Sequence, residues 1–528
     1  MLRERDDTHS LPAAAAAEKD VRILTAPPST ALRALGSIGL LAVLAGSFAV
    51  AAGASGAPGP LVPARSGGWP GWLSGPLHGL GLQIGWDGFQ AWTLLMCAGY
   101  GAVLAAARSL PGRAIAAALL ASTAILLVGP PLISQDAFGY LAFARLGVLH
   151  GLNPYTHVAA EAPIDATFPF VGWPFQHSPY GPLFTLGTYP LAKLGLAGGL
   201  WALKAIAAAA SLGAVALVAL AARRMGRSGA FAAAFVGLNP VLLLLAVGGA
   251  HNDTLVLLAL ASALALAARP ERLRAAVVAL VAGIGVKASA GLVLPYLLLS
   301  PRAGGRARLR LALAALASLA LLAAIAMLGF GVHALGFADA LGEQQQLVAT
   351  HSVPQETARW LGMSGLPAWW RDLFTVAFAA VLALTLWLTA RGADWRTMAG
   401  WAMLALLLCT AWLLPWYATW ALPLAALGDS RRLRVATLAV CAYALLIHLP
   451  LADPVLSPPR HVIAADVPTR VVPGSSLPSP APGLPHAGAG TRGSVATLTA
   501  ARLGTPLSHH AVFAGLQVGG HAALDLRR

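Results

Sequence analysis

Residues 275–300 read AAVVALVAGIGVKASAGLVLPYLLLS, an apolar run whose single charge, Lys287, falls near its middle. How this run is divided decides the fold. As one helix it would carry a lysine at the bilayer centre, at about 2.5–3.5 kcal/mol, and would turn the following Arg302, Arg306, Arg308 and Arg310 outward. As two short helices meeting at Lys287, it puts the lysine at an outer crest and the arginines inside. The same reasoning divides 229–268 at Gly248-Gly249-Ala250-His251-Asn252-Asp253 and 397–428 near Pro415-Trp416-Tyr417.

With those divisions, the remaining basic clusters fall on one side of an alternating chain: Arg108/Arg113, Arg223/Arg224/Arg227, Arg269/Arg272/Arg274, Arg391/Arg396 and Arg431/Arg432/Arg434. That is the positive-inside pattern of a polytopic membrane protein. The composition requires the same class. Of 528 residues, 58% are hydrophobic and 10% charged, with a mean hydropathy of +0.71, too little polarity to cover a water-soluble globule. The net charge of +15 resides largely in short turns between apolar runs, where arginines anchor to anionic headgroups, so nucleic acid is not an expected partner.

A span needs about 20 apolar residues. Candidate spans are 34–53, 89–107, 114–133, 199–222, 229–247, 254–268, 275–286, 288–300, 311–332, 373–390, 397–413, 414–428 and 435–451. They make an all-α transmembrane bundle of about 13 spans, because lipid-facing backbone must satisfy its own hydrogen bonds. Residues 180–197 are long enough to cross, but a crossing there would send Arg223, Arg224 and Arg227 outside, so they read as an outer-face or partly inserted helix. Two large loops, 134–179 and 333–371, then lie outside the cytoplasm.

The membrane domain occupies 31–451. Residues 1–30 read as a disordered cytoplasmic N-terminus followed by a retained signal anchor, with no cleaved signal. Residues 452–528, rich in Pro, Gly, Ser and His, read as a disordered tail, and an out-of-frame gene ending would give the same change of composition. Cys97, Cys409 and Cys441 lie in apolar segments without metal-ligand or disulfide spacing.

The first outer loop opens with Gln135-Asp136 and continues with Phe138, Leu141, Leu146 and Leu149 at helical spacing. This predicts an amphipathic helix on the membrane, with an ionised Asp136 at its N-terminus favoured by the helix dipole. Asp136 is thus either a cap or a catalytic carboxylate. Tyr140, Asn153, Tyr155, Trp173, Gln176, His177 and Tyr180 supply rings and amides suited to sugars, although Trp and Tyr also populate ordinary interface belts. Asn252 or Asp253 can cap the helix that follows, yet three polar side chains at membrane depth usually face a cavity or a partner. Lys287 can snorkel, pair with Asp253, or bind a lipid-linked phosphate. His351, Glu356, Trp416 and Tyr417 complete the candidate pocket, and no metal ligand set is present.

At these residues the chain resembles the actinobacterial polyprenol-phosphomannose-dependent α-1,6-mannosyltransferases of the GT-C superfamily. The resemblance is carried by Asp136 to Tyr155 with its closing Gly-Leu-Asn-Pro-Tyr, and by Ser178-Pro179-Tyr180-Gly181-Pro182-Leu183. Asn239-Pro240 with the Gly248–Asp253 stretch, Val286-Lys287-Ala288-Ser289-Ala290-Gly291, Pro415-Trp416-Tyr417 and Trp420-Ala421-Leu422-Pro423 carry the rest. It covers most of residues 85–430, but neither 1–30 nor the tail after 452. It implies a plasma-membrane mannosyltransferase with an extracytoplasmic site, a polyprenyl-phosphate-mannose donor, an α-1,6-mannan acceptor of a cell-envelope lipoglycan, and the first-loop acid Asp136 as the catalytic residue. In the accompanying mechanism Lys287, His251 and Arg145 meet the departing phosphate. Gln135, Tyr140, Asn153, Tyr155, Tyr180, Asn252, Asp253, His351, Trp416 and Tyr417 contact substrate. The expected chemistry is inverting, with no metal or other cofactor. A secondary transporter or a lipid flippase is the alternative, disfavoured because the polar residues gather at crests and no paired repeat is evident.

Overall fold

Runs of Ala, Leu and Val broken by Gly and Pro give a chain of helices, with no strand among the described residues. The structure is a computed structural model describing residues 30–56, 61–63, 70–300 and 304–456. The N-terminal and tail segments expected to be disordered therefore lie outside the described residues, except for Thr30, which begins the first helix, and a short helix Ala452–Leu456. Every one of the candidate spans contains helix. Not all have the length of a crossing. Five helical runs, Thr30–Ala54, Trp86–Ala106, Gly195–Arg224, Gly305–Gln346 and Ala368–Ala390, are long and apolar enough to cross a membrane. A sixth is obtained if Gly229–Gly237 and Val241–Val247, bent by 50° at Asn239-Pro240, form one span. Gly112–Val128, Asp253–Ala267 and Trp395–Cys409 are shorter apolar helices.

The three divisions argued from charge are places where the chain leaves the α-helix. Leu273–Val286 ends at Lys287, which is extended (φ −155°, ψ 130°) and precedes the 3-10 turn Ala288–Val293. Val241–Val247 and Asp253–Ala267 are separated by the glycine turn, and Trp395–Cys409 gives way to the 3-10 segment Pro415–Ala421. Pro182–Ala192 is an 11-residue helix, well short of a span.

Helix pairing uses small residues. Thr30–Ala54 lies along Trp86–Ala106 so closely that a Cβ on Gly39 would sit 2.5 Å from the Gly99 carbonyl oxygen, and one on Gly99 would sit 2.8 Å from the Gly39 oxygen. Backbones approach this way when dispersion and packing, rather than water exclusion, hold helices together.

The loop helix Asp136–Leu149 departs from expectation. Phe138, Leu141 and Leu146 are buried as predicted, but so are Tyr140, Phe143 and Ala144 on other faces, while Leu149 is exposed. The helix is embedded in protein rather than floating half-immersed in a membrane surface. Phe138 stacks on Phe170 at 4.5 Å, and a cluster including Leu141, Phe184, Leu200 and Leu203 clamps it to Pro182–Ala192 and Gly195–Arg224. Apolar spacing along one helix cannot reveal that loop residues such as Phe170 cover its other side.

Candidate active site

Two backbone turns deliver the central pair of side chains. Gly129-Pro130-Pro131 ends one helix, and the chain passes through Ile133 at φ 67° before Asp136 opens the next. Gly248-Gly249 leads through Ala250 at φ 58° to His251. Leu132 N–H donates to the Gly248 carbonyl at 3.1 Å and ties the turns together. A positive φ is disfavoured for any residue with a Cβ, and most of all for a branched one, so the surroundings must enforce it.

Asp136 is not the N-cap of its helix. Gln135 occupies that position, with its side chain against Gly172, and the Asp136 backbone N–H donates to Ser134 Oγ at 3.1 Å. The Asp136 carboxylate faces His251 instead. His251 Nδ1 is 3.3 Å from Asp136 Oδ2, within ion-pair reach but out of line for a good hydrogen bond. The imidazole is fully buried and stacks on Trp416 with centroids 3.7 Å apart. Burial pushes the Asp136 carboxyl up, but the interaction with His251, the Lys287 charge and the Ser134 hydroxyl together outweigh it and hold the pKa below its ordinary value.

Lys287 pairs with Asp253, its Nζ lying 3.0 and 3.3 Å from the two carboxylate oxygens. Trp420 Nε1–H donates to the same carboxylate at 2.8 Å. The ammonium also lies 4.2 Å from the Tyr417 ring, 5.2 Å from Trp420 and 6.0 Å from Tyr180. Tyr140 reaches Asn252 through its hydroxyl, and Tyr140 packs edge-on against Tyr180 at 4.9 Å.

Asp136, Tyr180 and Tyr417 line one narrow cleft with Trp173, Gln176, His177, Gln344 and Trp412. The two large loops meet here. His177 of the first lies 2.8 Å from Glu343 of the second, and Trp173 stands edge-on to Trp412 at 5.3 Å. Positions 136 and 287, 151 residues apart in sequence (287 − 136), therefore reach one site, separated by shared aromatic rings.

Several predicted site residues lie elsewhere. Arg145 forms a forked contact with Asp165 at 2.9 and 3.0 Å, an aspartate also held by His150 and Thr167. It is about 13 Å along the helix from Asp136. Asn153 donates to the Phe330 carbonyl and Tyr155 to the Tyr180 carbonyl, so both staple the loop. His351 is 2.6 Å from Glu356, in a cluster with Arg359, and does not line the cleft. Trp416 supports His251 from behind. Trp412, Gln344 and Trp420 were missing from the predicted set, although Trp420 belongs to a motif read from the sequence. Among the described residues no group of three His, Cys, Asp or Glu side chains converges as a metal site.

Comparison with known proteins identifies the family. Residues 33–302 match the family described as Alpha-(1->6)-mannopyranosyltransferase, N-terminal domain, and residues 362–475 match the MptB C-terminal domain, which carries the resemblance beyond the expected boundary at 451. Alpha-(1->6)-mannopyranosyltransferase A of Mycobacterium tuberculosis is 29% identical over 71% of this chain and 78% of its own length. The protein of the same name from Corynebacterium glutamicum is 27% identical over 34% of this chain and 37% of its own. No solved structure matches. With the N-terminal family match alone spanning half of the sequence and containing both strained turns, Asp136, His251 and Lys287, the chain belongs to the alpha-(1->6)-mannopyranosyltransferase family and is a membrane mannosyltransferase, not a transporter or flippase.

Proposed function

We propose that this protein transfers mannose from a polyprenyl-phosphate-mannose donor to an α-1,6-mannan acceptor of a cell-envelope lipoglycan, at the extracytoplasmic face of the plasma membrane. The reading includes the full set of about 13 crossings, with the shorter helices spanning as bent or paired segments. The single observation that carries it is the cleft in which Asp136 faces rings shared with Lys287.

Asp136 takes the proton of an acceptor hydroxyl as that oxygen attacks the anomeric carbon. The new C–O bond forms as the bond to the phosphate oxygen breaks from the opposite side, so the configuration inverts and polyprenyl phosphate leaves with the electron pair. General-base help of this kind is worth about 10²–10⁴ in rate. A carboxylate held below its ordinary pKa stays ionised near neutral pH, as a base must. Charge grows on the departing phosphate, and Lys287 with His251 meets it. Arg145, committed to Asp165, is left out of this role. A monophosphate met by the fixed Lys287 ammonium needs no divalent ion, so transfer should continue in EDTA.

Rings and amides of the cleft, Trp173, Gln176, Tyr180 and Trp412, suit the two faces and hydroxyls of an acceptor sugar. The test is Asp136→Asn in proteoliposomes supplied with labelled lipid-linked mannose and a mannan acceptor. Insertion and folding should persist while transfer falls at least about 100-fold. A variant that keeps normal turnover removes Asp136 from the chemistry.

A further inference from the structure

Lys204 is a charge inside the apolar helix Gly195–Arg224, and nothing in the chemistry above uses it. Counting about 20 residues back from Arg224, the length that crosses hydrocarbon, reaches Lys204, so it lies near the far boundary of the bilayer core. Yet it is 0% exposed and has no route to a headgroup. An intramembrane lysine is costly, and such residues mark functional positions by default.

Its partners are two carbonyls. Nζ donates to Pro130 O and to Gly248 O, each at 3.2 Å, and lies 5.9 Å from the Trp201 ring. These oxygens belong to the two turns that deliver Asp136 and His251, and both turns pass through left-handed, non-glycine residues, Ile133 and Ala250. The Gly248 carbonyl also accepts the Leu132 N–H, so three chain segments converge on one oxygen. Water could satisfy these carbonyls at an exposed turn. Here the Lys204 amine does so, and it draws both toward a single point.

We propose that Lys204 is a positioning residue: by gathering the Pro130 and Gly248 carbonyls it holds the two strained turns in register and thereby sets the approach of the Asp136 carboxylate to His251. This rests on the reading of Asp136 as the catalytic base. A purely structural lysine would affect how much folded protein is obtained, whereas a positioning lysine alters the reaction of the protein that has folded.

Lys204→Met keeps the length of the side chain and removes both donated bonds. A misplacement of about 1 Å costs up to about 100-fold, so kcat should fall by about 10- to 100-fold while KM for lipid-linked mannose stays within about threefold. The groups facing Asp136 are His251, Lys287 with its partner Asp253, Tyr140, Tyr180 and Tyr417. Lys204 bonds to the turns that carry Asp136 and His251, and loosening the contact between those two side chains should move the acid limb of kcat to higher pH. Lys204→Arg, which keeps donors at this point, should restore most of kcat and return the limb. Lys204→Gln, a shorter neutral donor, should fall between the two.

The proposal is overturned if folded variants share the wild-type kcat and pH profile, or if loss of activity only tracks loss of folded protein across the three. Asp136→Asn run beside them separates the two ideas. An active Asp136→Asn removes the base on which this proposal rests, whereas an inactive one with unchanged Lys204→Met kinetics overturns the positioning role alone.

Discussion

The pair Lys287–Asp253 is open to two demands, holding the fold and meeting substrate charge, and a double-mutant cycle separates them. Asp253 is fully buried, Lys287 is 12% exposed, and the pair is closed by the Trp420 indole. Removing one member of a buried pair strands the other. Lys287→Met leaves the carboxylate with the bond from the Trp420 indole but without its counter-charge, so the expected loss is about 3–4 kcal/mol, within the range for a broken buried ion pair. Asp253→Asn leaves the ammonium over Tyr417 and Trp420, whose faces return about 1 kcal/mol or more, so its loss should be smaller, about 1–2 kcal/mol. The double variant has no stranded charge and should recover to about 1–2 kcal/mol below wild type, giving a coupling of about 2 kcal/mol or more. Stability is measured by denaturant unfolding of detergent-purified protein, followed by tryptophan fluorescence.

Transfer assays on the same four proteins carry the functional half. If Lys287 also meets the leaving phosphate, the stable double variant should still be slower by about 10²–10³, the usual cost of losing one preorganised charge contact. A double variant that recovers both stability and turnover would make the pair purely structural and refute the phosphate role. Additive single losses, with no coupling, would refute the buried-pair reasoning.

His251→Ala removes the interaction that offsets burial at Asp136, so the carboxyl pKa should rise; the acid limb of the transfer rate should shift to higher pH, and an unmoved limb would contradict the geometry. Asp165→Asn should loosen residues 150–181 and speed proteolysis there, with little loss of stability elsewhere. Burial raises the Asp165 carboxyl, but Arg145, His150 and Thr167 together hold it well below its ordinary range. That stability is therefore present at neutral pH and is lost as pH falls through the lowered folded value, so the wild-type loop should resist protease better at pH 7 than in strong acid, with the variant insensitive.

What the sequence revealed was governed by which physical effect acts locally. Charge is read residue by residue, so Lys287, the Gly248–Asp253 turn and Pro415-Trp416-Tyr417 could each be identified as a break, and the helices end there. Crossing length is also local, but it gave too simple a picture. Lys287 splits one long run into pieces below normal span length, which the positive-inside argument accepts and a length criterion does not. Partnership is not local at all. Arg145 and Lys204 present the same signal, a cation among apolar residues in a helix. One is paired with Asp165, 20 residues on (165 − 145), and the other donates to carbonyls of Pro130 and Gly248, 74 and 44 residues away (204 − 130 and 248 − 204). Helical spacing placed Asp136 on the right element, yet could not show that His251 approaches it or that Phe170 covers the helix. The first of these contacts depends on two turns that pass through left-handed residues other than glycine, Ile133 and Ala250. Composition gives no cue to such turns, because the interactions that stabilise them lie in other segments of the chain. In this site the chemistry-bearing residue types are legible from sequence, and the forces that aim them are distributed over the fold.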